Sequence, residues 1–329
     1  MKKLKTTKLR YYGANCLKHL VPNALYQRRL KAILESGAGC CDSDNIRRRV
    51  DYYNQISTAF SPSENARSYG SLSLKSDDCS FASKQHSIPS AYYFDFKESA
   101  RYFKGGLYFD YWFADVTEIP PVPTFVKSRP IRADNRNSIV LKLDKLRHFV
   151  FVNDMAPFVA KRDEAVFRGP CYQPHRKSFV ARCLAARNCN VGDTNKAVIG
   201  QDAYKAPLTI KEQLRYKYVI SVEGNDVATN LKWIMSSNSL CLMTKPKFET
   251  WFMEGLLVPD HHYALLKDDY SDLEEKIDYY NARPDEALAI IDRAHRFVDQ
   301  FRDEKRERLI SLLVMKKYFE LSRQKIENL

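Results

Sequence analysis

Between Ala160 and Asn281 the chain alternates short apolar runs with helical patterns, and this alternation constrains the fold more than any other feature. Ala165–Arg168, Tyr218–Val222, Ser239–Met243 and Tyr263–Leu266 read as strands. Lys177–Arg187, Ala228–Ser236, Lys247–Leu257 and Asp272–Asn281 read as helices between them. Strands and helices at this spacing predict an α/β fold with a parallel sheet wound in Rossmann fashion. From Pro284 to Leu329 the pattern becomes one or two long helices, with Leu288, Ile291, Phe297, Phe301, Leu309, Leu312, Leu313 and Tyr318 on the apolar side. At 329 residues the chain exceeds what one core usually fills, so two packed domains are expected.

The upstream half has a different texture. Tyr92–Phe94, Leu107–Phe113, Ser138–Lys142 and His148–Val152 read as aromatic or apolar strands, and Arg47–Phe60 as a helix. The prolines of Ile119-Pro-Pro-Val-Pro123 make a rigid loop. Residues 1–34 hold nine Lys or Arg and no acid, with leucines and tyrosines at irregular helical spacing. A basic, aromatic-bearing surface of this kind suits an anionic membrane.

The formal charge of +13 asks for an anionic partner: nucleic acid, a lipid surface or a phosphorylated substrate. No helix-turn-helix, RRM or zinc module is present, which counts against nucleic acid. No apolar run approaches the ~18 residues of a membrane span, and no signal peptide is evident, so a cytoplasmic location is expected. The eight cysteines (16, 40, 41, 79, 171, 183, 189 and 241) lack Cys-x-x-Cys or zinc spacing and read as reduced. Asp42-Ser-Asp44 reads as a loop, and adjacent His261 and His262 have poor ligand geometry, so no metal site is expected.

Three segments carry the chemistry. Tyr218-Val-Ile-Ser-Val-Glu-Gly-Asn-Asp226 places Glu223, Gly224, Asn225 and Asp226 where a strand meets a helix, the position at which open parallel sheets bind ligands. Gly224 permits close backbone approach, Asn225 or Asp226 can cap the helix, and the helix N-terminus offers N–H groups to a phosphate. In Ala165-Val-Phe-Arg-Gly-Pro-Cys-Tyr-Gln-Pro-His-Arg176, Arg168 ends a strand and Arg176 begins a helix. Two guanidiniums converging there would bind a diphosphate and stabilise it as a leaving group. Phe109-Asp-Tyr-Trp-Phe-Ala-Asp115 puts carboxylates beside the proline loop, and Asp115 fits a general base.

These segments, in this order, resemble glycosyltransferase family 90, and the flanks Arg49–Asn54, Tyr92–Asp95 and Val122–Pro130 are most similar to its bacterial lipopolysaccharide branch. Phe167, Arg168, Gly169, Pro174 and Arg176 match the first donor-site motif, and Tyr216–Asp226 the second. Ser237–Leu242, Phe248–Phe252 and Tyr270–Lys276 continue the match. The resemblance implies a GT-B architecture, with residues 1–155 binding the acceptor, 156–283 the nucleotide-sugar, and 284–329 forming helices that pack across the domains. It implies an inverting, metal-independent hexosyl transfer, of glucose or galactose, from a UDP-sugar to a hydroxyl of the lipopolysaccharide inner core. It implies no cofactor, and work at the inner face of the bacterial inner membrane. It assigns the base to Asp115, with Asp110 and Glu118 as alternative registers. It places Arg168, Arg176, Tyr218, Glu223, Gly224, Asn225, Asp226 and Ser239 around the donor, and Arg129 near acceptor or phosphate. Two positions depart from the pattern. Asn230 stands where many members have Arg, and Glu223 where the eukaryotic branch often has Arg. A basic nucleic-acid-binding protein and a non-catalytic interaction protein of the same fold are the rival readings.

Overall fold

The computed structural model describes residues 2–38, 42–80 and 86–329. Cys40 and Cys41 lie outside the described residues. Eleven strands run through the described chain: β1 Arg67–Ser68, β2 Tyr108–Trp112, β3 Thr124–Val126, β4 Ser128–Pro130, β5 Ser138–Val140, β6 Arg162–Gly169, β7 Cys189–Asp193, β8 Tyr216–Ile220, β9 Leu240–Met243, β10 Phe248–Thr250 and β11 Ala264–Leu265. The chain divides into two compact units, residues 1–147, 248–252 and 301–329, and residues 148–247 and 253–300. The expected boundary at 155 lies instead at 147/148. The 284–329 segment is shared out: helix Pro284–Asp299 belongs to the second unit and helix Glu304–Leu321 to the first.

The second unit is a five-stranded, all-parallel sheet in the order β11-β9-β8-β6-β7. Its central strands β8 and β9 are buried throughout and β6 is buried at Ala165–Phe167, as parallel strands between helices must be. Phe167, Tyr218, Ile220 and Leu242 pack with Phe179 and Val180 of helix Pro174–Cys183 and with Ile277 and Tyr280 of helix Leu273–Ala282. Full burial of each large side chain contributes about 1.5–3 kcal/mol. In helix Pro284–Asp299, the buried residues Ala287, Ile290, Ile291, Ala294 and Val298 recur at helical spacing, which fixes its inward face.

The first unit holds a smaller mixed sheet, β1-β2-β3-β5, in which β2, β3 and β5 are parallel and β1 is antiparallel. β4 and β10 form a separate antiparallel ribbon. An aromatic cluster fills the core: Phe96 lies 4.8 Å from Phe109, and Phe125 lies 4.4 Å from Tyr318, ring centre to ring centre. Tyr318 comes from helix Glu304–Leu321, whose first turn is capped by Asp303 accepting from the Lys305 and Arg306 amides.

Four local expectations are corrected. Tyr92–Phe94 is not a strand but lies in helix Ser90–Ala100, where Ala91, Tyr92, Asp95, Phe96 and Ala100 are buried at helical spacing. The Arg47–Phe60 helix runs instead from Ser43 to Tyr53. It stops where Asn54 turns extended and Tyr53 stacks on Trp251, 3.8 Å between ring centres. Lys247–Leu257 is not a helix. Phe248–Thr250 pairs with Ser128–Pro130, and Met253 takes a left-handed conformation that no helix continues through. His148–Val152 forms no strand.

Candidate active site

In the second unit β6 leads to its neighbour β7 on one side, whereas β8, β9 and β11 continue on the other. The strand order therefore reverses between β6 and β8. Open α/β sheets bind ligands in the crevice at the carboxyl ends of the two strands flanking such a reversal. Here those ends carry Gly169-Pro170, which lead into helix Pro174–Cys183, and the loop 221–230.

Arg176 is the centre of this place. Its Nε donates to the Glu223 carbonyl at 2.8 Å, one Nη to the Val222 carbonyl at 2.7 Å and the other to the Pro170 carbonyl at 3.1 Å. All three acceptors are neutral, and among the described residues Arg176 forms no ion pair. Burial pushes this guanidinium below its ordinary pKa, only partly offset by Cys171, Tyr270 and Asp193. A half-buried cation bonded only to carbonyls, with Asp193 offsetting its burial only in part, is short of negative charge, and an anion at the strand ends would supply it. Gly224 lies against it: a Cβ there would sit 3.5 Å from an Arg176 Nη. The loop is pinned elsewhere too. His175 Nε2 reaches the Glu223 carbonyl at 2.9 Å, Glu223 Oε1 accepts from the Lys247 amide at 3.0 Å, and Gln173 Nε2 donates to Asn225 Oδ1 at 2.9 Å. Asp226 is buried, and its carbonyl accepts from the Gly224 amide at 3.0 Å.

The helix after this loop starts later than expected and spans only Leu231–Met235. Neither Asn225 nor Asp226 caps it, so an anion here would be met by the loop and Arg176 rather than by a helix end. Asn230 turns back on the strand. Its Nδ2 donates to the Ile220 carbonyl at 3.2 Å, and its Oδ1 accepts from Ser221 Oγ at 3.1 Å. Lys232 is fully buried against Glu254.

Three of the expected donor residues are placed elsewhere. Arg168 does not converge with Arg176. Its Nη atoms bond the Asn190 carbonyl and Oδ1, both at 2.6 Å, and its Nε the Ala206 carbonyl at 3.2 Å. Asn190 pairs in register with Val166, so the Arg168 side chain turns back along the sheet, away from the strand ends. Tyr218 is a core residue with no exposure, its hydroxyl donating to Asn281 Oδ1 at 2.7 Å. Ser239 precedes β9 and so lies at the amino end of the sheet. It is buried, bonds the Tyr216 carbonyl and accepts from Lys161 Nζ, each at 2.8 Å.

In the first unit the three carboxylates separate clearly. Asp110 is fully buried and accepts from the Ser63 amide at 2.9 Å, Ser63 Oγ at 2.5 Å and Ser80 Oγ at 2.9 Å, which leaves no approach for a substrate. Glu118 is exposed on the proline loop. Asp115 is intermediate: its side chain is 29% exposed, and Oδ1 accepts from Lys127 Nζ at 2.6 Å and from Tyr92 Oη at 3.5 Å. Lys127 itself is 1% exposed, so a buried cation orients a carboxylate that solvent can still reach. The sequence reading missed Lys127, and its adjacency to Ser128-Arg129 was the available signal. Arg129 is no acceptor contact. It is fully buried and bonds Glu249 Oε1 at 2.7 Å, the Tyr52 carbonyl at 2.8 Å and the Ser138 carbonyl at 3.0 Å. Asp42 bonds Arg306 at 2.6 Å, a structural pair. No cluster of three or more metal-ligating side chains occurs among the described residues. No helix among them is long and apolar enough to cross a membrane.

A parallel sheet with its strand order reversed beside an arginine that forms no ion pair among the described residues defines an open α/β protein with a ligand crevice. Residues 139–328 match the family model for glycosyl transferase family 90. A relative, the O-glucosyltransferase LpsA of Dichelobacter nodosus, is 44% identical over 276 residues, covering 84% of this chain and 83% of that protein. The chain belongs to glycosyl transferase family 90. A shorter stretch of 103 residues is 34% identical to the uncharacterized protein 179R of Invertebrate iridescent virus 6, covering 29% of this chain and 9% of that protein.

Proposed function

We propose that the chain is an inverting, UDP-sugar-dependent glucosyltransferase that adds glucose to a hydroxyl of the lipopolysaccharide inner core at the inner membrane face. The observation that carries the donor half of this reading is Arg176, a cation without an acidic partner among the described residues, at the carboxyl ends of β6 and β8. Glucose is favoured over galactose by the O-glucosyltransferase relative. The division into two units, each with parallel strands of its own, supports the GT-B reading.

In this mechanism Asp115 takes the proton of the acceptor hydroxyl. That oxygen bonds to the anomeric carbon from the face opposite UDP. The bond from that carbon to the phosphate oxygen breaks, and its electron pair leaves with UDP. Arg176, with the backbone around Gly224, meets the negative charge that grows on the diphosphate. Lys127 holds Asp115 in one orientation before the proton moves, which favours a near-attack geometry. The test is the lipopolysaccharide of a strain lacking this protein. Mass spectrometry should show a core short of one hexose, restored by the wild-type chain and not by Asp115→Asn. An unchanged core would overturn the reading.

A further inference from the structure

The helix Lys2–Leu20 turns its tyrosines inward and leaves its leucines outside. A helix lying on a domain normally turns its apolar stripe inward. Here two tyrosines make the inward contacts: the Tyr12 ring packs edge-on against Phe94 at 6.1 Å, Tyr11 Oη donates to Asp95 at 2.6 Å, and Tyr12 Oη accepts from Ser90 Oγ at 3.1 Å. The leucines point out. Leu9 is 75% exposed, Leu17 69%, Leu20 79%, and Leu25, in the separate short helix Asn23–Gln27, 52%. Leu9 and Leu20 lie eleven residues apart, three helical turns, so they share one face. Beside this face lies a cavity lined by Lys18, Arg29, Lys97, Arg101 and Arg308, with Glu98 as its one acid. Glu98 is shared between Lys145 and, at 3.8 Å, Lys18, so one carboxylate faces five cavity cations. Arg101 is fixed by the Lys18 and Val21 carbonyls at 2.9 and 2.6 Å. Among the described residues Arg29 and Arg308 form no ion pair. Lys97 lies over the Tyr69 and Tyr93 rings, and burial, then Arg101, push its ammonium below its ordinary pKa.

We propose that this face seats the protein on an anionic bilayer, with Leu9, Leu17, Leu20 and Leu25 entering the acyl boundary and the adjoining cavity holding a lipid phosphate. Charge selects the occupant, since residues 1–34 contain nine basic residues and no acid. The inference extends the transferase reading by naming the surface that would bring the enzyme to a lipid-borne acceptor, and vesicle binding does not depend on catalysis.

The experiment is co-sedimentation with vesicles of phosphatidylglycerol and phosphatidylethanolamine, against vesicles of phosphatidylcholine alone. The wild-type chain should pellet with the first and not the second. Leu9→Gln combined with Leu17→Gln and Leu20→Gln should reduce binding about tenfold or more, and so should Arg29→Gln combined with Arg308→Gln. Both variants should bind UDP as the wild type does, which separates failure here from failure of the transferase reading. Equal binding to both vesicle types, or by both variants, would overturn the proposal. So would displacement by millimolar inorganic phosphate, which would assign the cavity to the free ion. A dimer that dissociates in the leucine variant while vesicle binding persists would assign the face to a second copy.

Discussion

Truncating Arg176 to Ala tests the donor site, and its cost can be worked from the contacts. Two of its bonds, to the Val222 and Glu223 carbonyls, are partly buried, and the third, to Pro170, is exposed. Each charge-assisted bond contributes about 1.5 kcal/mol at the low end. The two partly buried bonds give about 3 kcal/mol. Water reaching the freed carbonyls discounts this to about 2 kcal/mol of order in the loop that carries Gly224. On the proposed donor reading, UDP binding loses at least that order, along with the cation that would face its phosphates. A loss of about 2 kcal/mol corresponds to roughly thirtyfold weaker affinity. Calorimetric titration with UDP reads this directly, with thermal unfolding run in parallel to show that the variant is folded. Arg168→Ala is the matched control. Its guanidinium serves Asn190 and Ala206, so UDP affinity should stay within about twofold of wild type, a difference small beside the tenfold that 1.4 kcal/mol represents. A folded Arg176→Ala that binds UDP like the wild type would refute the argument, as would an Arg168→Ala with the larger loss.

Four further outcomes are expected. Asp115→Asn should lower transfer by about 10²-fold or more while leaving UDP affinity unchanged, whereas Asp110→Asn should lower thermal stability, because it disturbs a carboxylate buried among Ser63 and Ser80 donors. Gly192→Ala should destabilise by about 1–3 kcal/mol in chemical denaturation, because its Cβ would meet Lys205 Cβ at 2.5 Å and Cγ at 2.7 Å. His262 accepts from the Val258 amide through Nδ1, and burial, then His261 and Arg293, push its pKa down to about 4. The unfolded imidazole titrates near its ordinary 6.5, so the folded state binds fewer protons between these values. The His262 contribution to stability is therefore present above pH 6.5 and lost as pH falls towards 4. His262→Gln should flatten that part of the thermal midpoint against pH, and an unaltered slope would remove His262 as its cause.

The second unit was legible in the sequence because buried parallel strands are short continuous apolar runs, and their order can be followed by eye from Ala165 to Leu266. The strand-end loop at Glu223–Asp226 and the helix entry at Arg176 could be placed together for the same reason. What failed depended on partners distant in the chain. Phe248–Thr250 has helical spacing with Trp251 and Phe252, yet it pairs with Ser128–Pro130, over a hundred residues earlier. The aromatics at 92–94 looked like a strand because β propensity favours them, but the core reads Tyr92 and Phe96 as one helix face. Motif order could not tell the two ends of a strand apart, which misplaced Ser239. Nor could it show which cation was consumed inside: Arg129 is spent on Glu249, and Arg168 folds back on Asn190. The choice among Asp110, Asp115 and Glu118 required burial, since all three carboxylates share the same local sequence.

The central claim is sugar transfer from a UDP-linked donor, and it has a direct measurement. The purified chain is incubated with UDP-glucose and a lipopolysaccharide core lacking the hexose, and UDP release and acceptor mass are followed together. The account predicts one hexose gained for each UDP released, with the product linkage inverted at the anomeric carbon by NMR. An acceptor that gains nothing from UDP-glucose or UDP-galactose, with no UDP released, would contradict it.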